Sequence, residues 1–202
     1  MEWQRPSEPR PSFAQQVKER LAANERRGAL IEHVTTPAVL RMLGCPAVPL
    51  TLAPGILMKM ATGKQGERPP LSAVQIQWLP ELIDDPVAIF AQPDGAGWAV
   101  LTAEQDQAGN PVLVCVRPGC RDGVRQVNAI TTAFGKDRAR DWVTRKAPWL
   151  RYRGSKENPR LPLPSLAYYQ TGALNAEGRE MKVLGPADLR KFREGNRAKR
   201  AA

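Results

Sequence analysis

Residues 98–117 read WAVLTAEQDQAGNPVLVCVR, in which two apolar, β-rich runs enclose the turn residues Ala108-Gly109-Asn110. Short apolar runs separated by Gly and Asn predict antiparallel strands joined by a local connection. The same pattern extends to both sides, because Val87–Ala91 precedes this pair and Val124–Thr132 follows it. Four strands with short connections indicate an antiparallel meander rather than a βαβ alternation.

Helices are predicted before and after this sheet. Ser12 is a candidate N-cap for a helix from Phe13 to about Arg27, with Gly28 as its stop. Thr36 at the N-cap and Pro37 at the first helical position predict a short helix that ends at Gly44. Further helices are predicted from Ser72 to about Ile83, over the basic stretch Lys136–Lys146, and over Pro186–Arg197.

The fold class is therefore predicted as α+β, with N-terminal helices packed on a roughly four-stranded antiparallel sheet, then a basic helix and an irregular C-terminal arm. Residues 1–12 carry three prolines among charged residues and read as a disordered lead-in. Residues 13–165 are predicted to form a single α+β domain. Residues 166–202 are predicted to form a basic arm with a terminal helix, after prolines at 159, 162 and 164 interrupt regular structure.

Charge is distributed unevenly along the chain, whose formal net charge is +10. Residues 34–116 hold four Lys and Arg against seven Asp and Glu, a net charge of −3, whereas residues 117–160 hold twelve against four, a net charge of +8. A basic half joined to a neutral or acidic half favours a surface that faces a polyanion. The alternative is a solvated basic face without a partner.

Composition argues against several other classes. No apolar run approaches the roughly 18 residues that a membrane span needs, and the first residues lack the apolar core of a secretory signal. The three cysteines lack paired-ligand spacing and the chain has one histidine, so we expect no metal and no cofactor. Reduced thiols and a cytoplasmic location are expected, with no membrane partner.

Five motifs in order carry a resemblance to a known family. They are LPELIDDPVAIF at 79–90, AVLT at 99–102, GNPVLV at 109–114, NAITTAFGK at 128–136 and LRYRGSK at 150–156. This series resembles the phage MuF C-terminal domain and its relatives among phage Barnase–EndoU–colicin–RelE-like nucleases, over roughly residues 33–165. The resemblance implies a metal-independent, RNA-cleaving, toxin-like fold.

In such enzymes the ribose 2′-hydroxyl attacks the adjacent phosphate, so the site needs a proton acceptor, a proton donor and cations. The resemblance carries these roles to Lys64, Thr131, Thr132, Tyr152 and Lys156. Relatives commonly have a lysine–histidine pair where this chain reads KQGE at 64–67, and the one histidine, His33, lies far upstream. Either Lys64 or Glu67 replaces that histidine, or this chain has kept binding and lost catalysis.

Candidate nucleic-acid contacts cluster on the basic helix and on the strand that follows it. They are Lys136, Arg138, Arg140, Arg145, Lys146, Arg151 and Arg153. Ordinary structural roles remain open for several candidates, because Thr is a good β-former and a tyrosine between two arginines can close the edge of a core as well as stack a base. A loop lysine such as Lys156 is often simply solvated.

Three functions follow from these observations. The first is an RNA-cleaving effector of a phage or mobile element, which binds structured RNA and has an immunity or antitoxin protein as partner. The second is a nucleic-acid-binding or regulatory protein on the same fold without catalysis. The third is a protein-interaction or inhibitor module. RNA is favoured over DNA as the nucleic-acid partner.

Overall fold

The computed structural model describes residues 11–64, 67–92, 95–158, 161, 163 and 182–201. Within them the strands are β1 Ile31–His33, β2 Leu50–Leu52, β3 Ala88–Ala91, β4 Trp98–Gln105, β5 Pro111–Asp122, β6 Arg125–Gly135 and β7 Leu150–Arg153. The helices are α1 Phe13–Ala23, α2 Ala38–Met42, α3 Pro54–Thr62, α4 Ala73–Gln77, α5 Leu79–Asp84, α6 Ala139–Lys146 and α7 Pro186–Ala201.

The fold is α+β, and the predicted antiparallel meander is confirmed as β3, β4, β5 and β6. The predicted number of roughly four strands, all antiparallel, was too low, because the described residues form a seven-stranded mixed sheet in the order β1-β2-β6-β5-β4-β3-β7. Strand β2 pairs with β6 in parallel, with Leu50 opposite Asn128, and β7 pairs with β3. The three additional strands have only three or four residues and pair with distant segments, so no local turn predicts how they pair.

Side chains of the sheet alternate between two cores, one on each face. In β3, Ile89 packs into a first core with helices α1 to α5, and its neighbour Phe90 packs into a second core with α6. This alternation follows from the two-residue period of a strand. The Trp142 ring of α6 contacts Phe90 edge to face, with centroids 5.1 Å apart. Helices therefore cover the first face broadly, whereas α6 covers only part of the second.

Two helix ends differ from the predicted ones. Ser12 caps α1 as expected, since its hydroxyl accepts from the Gln15 backbone N–H at 3.1 Å. The helix ends before Asn24 rather than near Gly28, because Asn24 adopts the left-handed conformation with φ of 51°. The helix predicted from Ser72 is capped by a Ser72–Gln75 capping box but breaks at Trp78 into α4 and α5.

Thr36 is not the N-cap of α2, and Pro37 precedes the helix instead. The first backbone N–H of the helix, at Ala38, donates to Asp84 Oδ1 at 2.7 Å, so a carboxylate from α5 supplies the cap. The buried Thr36 hydroxyl points into the protein and donates to the Val48 carbonyl at 2.5 Å. The cap of α2 is therefore a contact between residues that are far apart in the sequence, and the local spacing of residue types could not predict it.

Asn128 of β6 is fully buried and joins three segments of the chain. Its side-chain amide donates to Thr36 Oγ1 at 2.6 Å and to the Pro46 carbonyl at 2.9 Å. Its side-chain oxygen accepts from the Gly119 backbone N–H at 2.9 Å, where the register between β5 and β6 shifts. Each polar atom of this amide is thus satisfied, as burial requires.

The terminal helix α7 is present and packs against the domain. Leu189 belongs to the first core, and Arg193 Nη2 lies 2.7 Å from Asp84 Oδ2. Residues 1–10 of the predicted lead-in, and residues 166–181 of the predicted arm, lie outside the described residues, so both assignments remain predictions. Among the helices that are described, none has the length and apolar character to cross a membrane.

Replacing Asn128 by Ala is expected to lower the free energy of unfolding by about 3 kcal/mol, because the buried Thr36 hydroxyl and the partly buried Pro46 carbonyl and Gly119 N–H lose their partner. Urea unfolding followed by circular dichroism measures the change. Gln126→Ala is the control, since this exposed residue lies two positions away on the same strand and its loss should cost less than about 0.5 kcal/mol. Equal stabilities for the two variants would contradict the role of Asn128.

Candidate nucleic-acid interface

Three adjoining cavities form one cleft, which extends from residues of the first core, Met60 and Ala133, to residues of the second core, Phe90 and Leu113. Their volumes are about 460, 380 and 190 Å³. Thr131 and Thr132 line the first two, and Cys115 lines the last two, so neighbouring cavities share lining residues on β6 and β5. We call this surface the sheet cleft: α3 with residues 63, 64, 68 and 69 forms one wall, and α6 forms the other.

Six cationic side chains line the sheet cleft. They are Lys59, Lys64, Arg68, Arg117, Lys136 and Lys146. No Asp or Glu lines any of the three cavities among the described residues. Carboxylates contact two of the cations from outside these walls, since Lys64 Nζ is 2.5 Å from Glu67 and Lys136 Nζ is 3.6 Å from Asp137. The described lining residues of the cleft therefore carry formal charge of one sign, which is positive.

Backbone hydrogen bonds hold the described residues between Gly63 and Pro70 in place. The Lys64 N–H donates to the Arg68 carbonyl at 2.8 Å, and the Arg68 N–H donates back to the Lys64 carbonyl at 2.9 Å. Gly63 begins the loop with φ of +65°, and a Cβ at this position would lie 2.4 Å from the Arg68 carbonyl oxygen. Only glycine fits there without strain. This geometry fixes the backbone that presents Lys64 and Arg68 to the cleft.

A β-bulge places the two threonines on the cleft floor. Cys115 pairs with Thr132 and Val116 pairs with Ile130, so Thr131 is the extra residue of the bulged strand. The Thr131 hydroxyl donates to the Cys115 carbonyl at 3.3 Å, which ties it to the strand distortion. Bulges re-aim side chains near functional sites, and here the bulge turns Thr131 outward into two of the cavities.

Cys115 offers no reactive thiolate to this cleft. Burial raises the pKa of the Cys115 thiol, and the nearby Arg68 charge opposes that shift only in part. All three cysteines are free thiols. No cluster of three or more His, Cys, Asp or Glu that could hold a metal ion occurs in the part of the chain that the structure describes. Phosphate binding by cations is the chemistry that the described lining residues best support.

The five predicted catalytic residues divide between two places. Lys64, Thr131 and Thr132 meet at the first cavity of the sheet cleft. Tyr152 lies on β7, which three strands separate from β6, a span of about 19 Å at the usual strand spacing. The structure therefore does not bring Tyr152 to the same cavity.

Tyr152 lines a different cavity of about 770 Å³, which it shares with His33. Its side chain is buried in the first core. Burial raises the pKa of the Tyr152 hydroxyl, the Asp85 charge raises it further, and the Arg193 charge opposes both. Lys156 does not line this cavity, and its Nζ pairs with Asp85 Oδ2 at 2.8 Å.

The residues predicted to contact nucleic acid also lie in different places. Lys136 and Lys146 line the sheet cleft, whereas Arg140 and Arg145 are exposed elsewhere on α6. Arg138 precedes α6 with a left-handed backbone, φ 45°, and Arg151 is half-buried on β7.

Arg153 is buried and has a structural role instead of a surface one. Its guanidinium donates to the backbone carbonyls of Val87, Gly154 and Lys156 at 3.0 to 3.1 Å. These bonds hold the end of β7 against the segment that enters β3. A side chain committed in this way is not available to an external phosphate.

Sequence reasoning missed Lys59, Arg68, Arg117 and Phe134 as lining residues. A signal existed for Arg117, because Leu113, Cys115 and Arg117 alternate along β5 and so share a face. Arg68 lies in the same polar loop as Lys64, but only the closed loop shows that it stands over the Phe134 ring, 4.2 Å from its centroid.

Comparison with known families bears on the same part of the chain. Residues 61–157 match the family model of the phage MuF-C-terminal domain. This match confirms the resemblance to that phage domain over slightly less than half of the chain, and the matched residues include five of the six cleft cations. No curated protein and no solved structure matches the chain significantly. The wider relation to Barnase–EndoU–colicin–RelE-like nucleases remains a prediction.

Gly63→Ala is expected to destabilise the protein by about 2 kcal/mol, because the new Cβ meets backbone atoms and the left-handed φ strains any other residue. Gly195→Ala is the matched control: it lies within α7 with nothing within 4 Å of a new Cβ and should stabilise by about 0.5–1 kcal/mol. Urea midpoints measure both changes. A stabilised Gly63→Ala variant would contradict the loop geometry.

Proposed function

We propose that this phage-type domain binds RNA through the sheet cleft. The observation that carries the proposal is the set of six cations around one cleft, with no carboxylate among its described lining residues. A polyanion neutralises charges that otherwise repel one another, and it releases its own condensed counterions when it binds. Two basic walls on either side of a strand floor suit a linear chain of phosphates.

RNA is preferred over DNA in this proposal because the resemblance of the sequence motifs is to RNA-cleaving domains. The positions of the charges support a defined site over a diffuse basic surface. Lys59 and Arg68 approach from one wall and Lys146 from the other, and none of the three has an ion-pair partner among the described residues. Cations without internal partners keep their full charge for a ligand.

Salt should weaken the complex steeply. For a single RNA strand the logarithm of the affinity falls with the logarithm of salt by about 0.7 per neutralised phosphate, so six contacts give a slope of about −4. Fluorescence anisotropy of a labelled RNA between 50 and 200 mM salt measures it. An affinity that does not change with salt would contradict binding through the cleft cations.

The double variant Lys59→Gln/Lys146→Gln removes one charge from each wall. It should weaken RNA binding about tenfold at low salt and make the slope shallower by about 1.4. The control is Lys18→Gln, which makes the same kind of charge change at an exposed position on α1, away from the cleft. A loss of the same size in the control would indicate general electrostatic attraction and not a site.

RNA cleavage is a second candidate, favoured by the ion pair between Lys64 and Glu67 beside the first cavity. Both residues, with Arg68, line a neighbouring cavity of about 500 Å³. In the proposed step Glu67 takes the proton of a ribose 2′-hydroxyl, whose oxygen bonds to the adjacent phosphorus. The bond to the 5′-oxygen breaks, that oxygen takes a proton from Lys64 or water, and a 2′,3′-cyclic phosphate and a 5′-hydroxyl remain.

Incubation with total RNA, with and without a chelator, tests this candidate by mapping the fragment ends. Cleavage should be insensitive to chelator, and Glu67→Gln should slow it at least about 100-fold, whereas Glu19→Gln on α1 should not. Expression should then be toxic unless Lys64 is replaced by Ala, and an immunity or antitoxin protein would be the expected partner. RNA that stays intact at stoichiometric protein concentration leaves binding as the function.

A further inference from the structure

Arg68 and Phe134 form a cation–π pair at the first cavity of the sheet cleft. The Arg68 guanidinium carbon lies 4.2 Å from the centroid of the Phe134 ring, within the range of a close cation–π contact. Phe134 is half-buried on β6 and packs against the second core, so its ring has a firm support. Arg68 itself is exposed. The ring thus lies on one side of the guanidinium group, and the exposed Arg68 side chain also lines the cavity.

Two further features hold the Arg68 guanidinium in place. The paired backbone hydrogen bonds between Lys64 and Arg68 fix the base of the Arg68 side chain. Its guanidinium has no carboxylate partner among the described residues, so no ion pair draws it away from the ring. Ordering a long side chain before a ligand arrives lowers the entropy that binding must otherwise cost.

We infer that the sheet cleft takes an unpaired nucleotide, whose base stacks on the side of the Arg68 guanidinium opposite Phe134; this inference rests on the proposed RNA binding. Single-stranded RNA is recognised by bases that stack on aromatic rings and on arginine planes. Bases within a duplex are already covered on both sides by their neighbours. Lys59 and Lys64 line the same cavity and hold the phosphates next to the stacked base.

Substitutions can test the planar shape of the Arg68 guanidinium separately from its charge. Arg68→Lys keeps one positive charge but removes the flat surface, because an ammonium group cannot stack as guanidinium does. Phe134→Leu keeps an apolar side chain against the second core and removes the ring beneath Arg68. Arg190→Lys is the control, since it makes the same exchange at an exposed position on α7, outside the cleft.

The test compares one labelled RNA as a single strand without internal pairing and as a duplex with its complement. Wild type should bind the single strand more tightly, and Arg68→Lys and Phe134→Leu should each weaken that binding about five- to tenfold. The salt slope of Arg68→Lys should stay unchanged, because its charge is unchanged. A 2-aminopurine base in the single strand should lose fluorescence on binding to wild type and keep more of it with Arg68→Lys.

Each outcome distinguishes the inference from the function on which it rests. Single-strand binding by Arg68→Lys that equals wild type, or duplex binding as tight as single-strand binding, overturns the stacking proposal while salt-dependent RNA binding still stands. Wild type that binds neither RNA in a salt-dependent way overturns the proposed function as well. Circular dichroism of the variants verifies that both have folded.

Discussion

The buried amide of Asn128 connects the segments on which the sheet cleft depends. It holds the Pro46 loop and Thr36 beside β6, next to the point where β2 pairs with β6 in parallel. Helix α3 follows β2 after one residue and carries Lys59, and the loop after α3 carries Lys64 and Arg68. A buried amide must satisfy its hydrogen bonds, so this one allows a single arrangement of the three segments. The position of one cleft wall is a consequence of that requirement.

Like charges around one cleft repel each other, which opposes folding. The cost stays modest because Lys59, Lys146 and the pair Lys64 and Arg68 reach the cleft from three different segments and their heads are partly in water, where ions screen them beyond a Debye length of about 8 Å. The same arrangement favours a polyanion, whose phosphates remove the repulsion on binding. These basic side chains therefore line one defined cleft. They come from the basic helix α6 and from a wall whose residues are earlier in the sequence.

Polar residues that could act in catalysis lie in two separate cavities. His33 and Tyr152 share the cavity beside α2 and α7, whereas Lys64, Thr131 and Thr132 share the sheet cleft. The distance between β7 and β6 in the strand order keeps the two groups apart. Cations and hydroxyls on the cleft suit phosphate binding, whereas the carboxylate named as proton acceptor for cleavage, Glu67, lies beside the cleft and not among its described lining residues. The geometry consequently favours binding over catalysis as the proposed function.

Local sequence determined the four-stranded meander, because Gly, Asn and Asp turns between short apolar runs specify neighbouring antiparallel strands. It also determined the capped starts of α1 and α4, since Ser12 and Ser72 act on residues within one turn. The charge pattern and the motifs indicated a basic phage-type domain. Tertiary structure alone decided the pairing of β1, β2 and β7, the cap of α2 by Asp84, and the cation–π contact of Arg68 with Phe134. These contacts join residues tens of positions apart, and no periodicity or turn residue encodes such a separation.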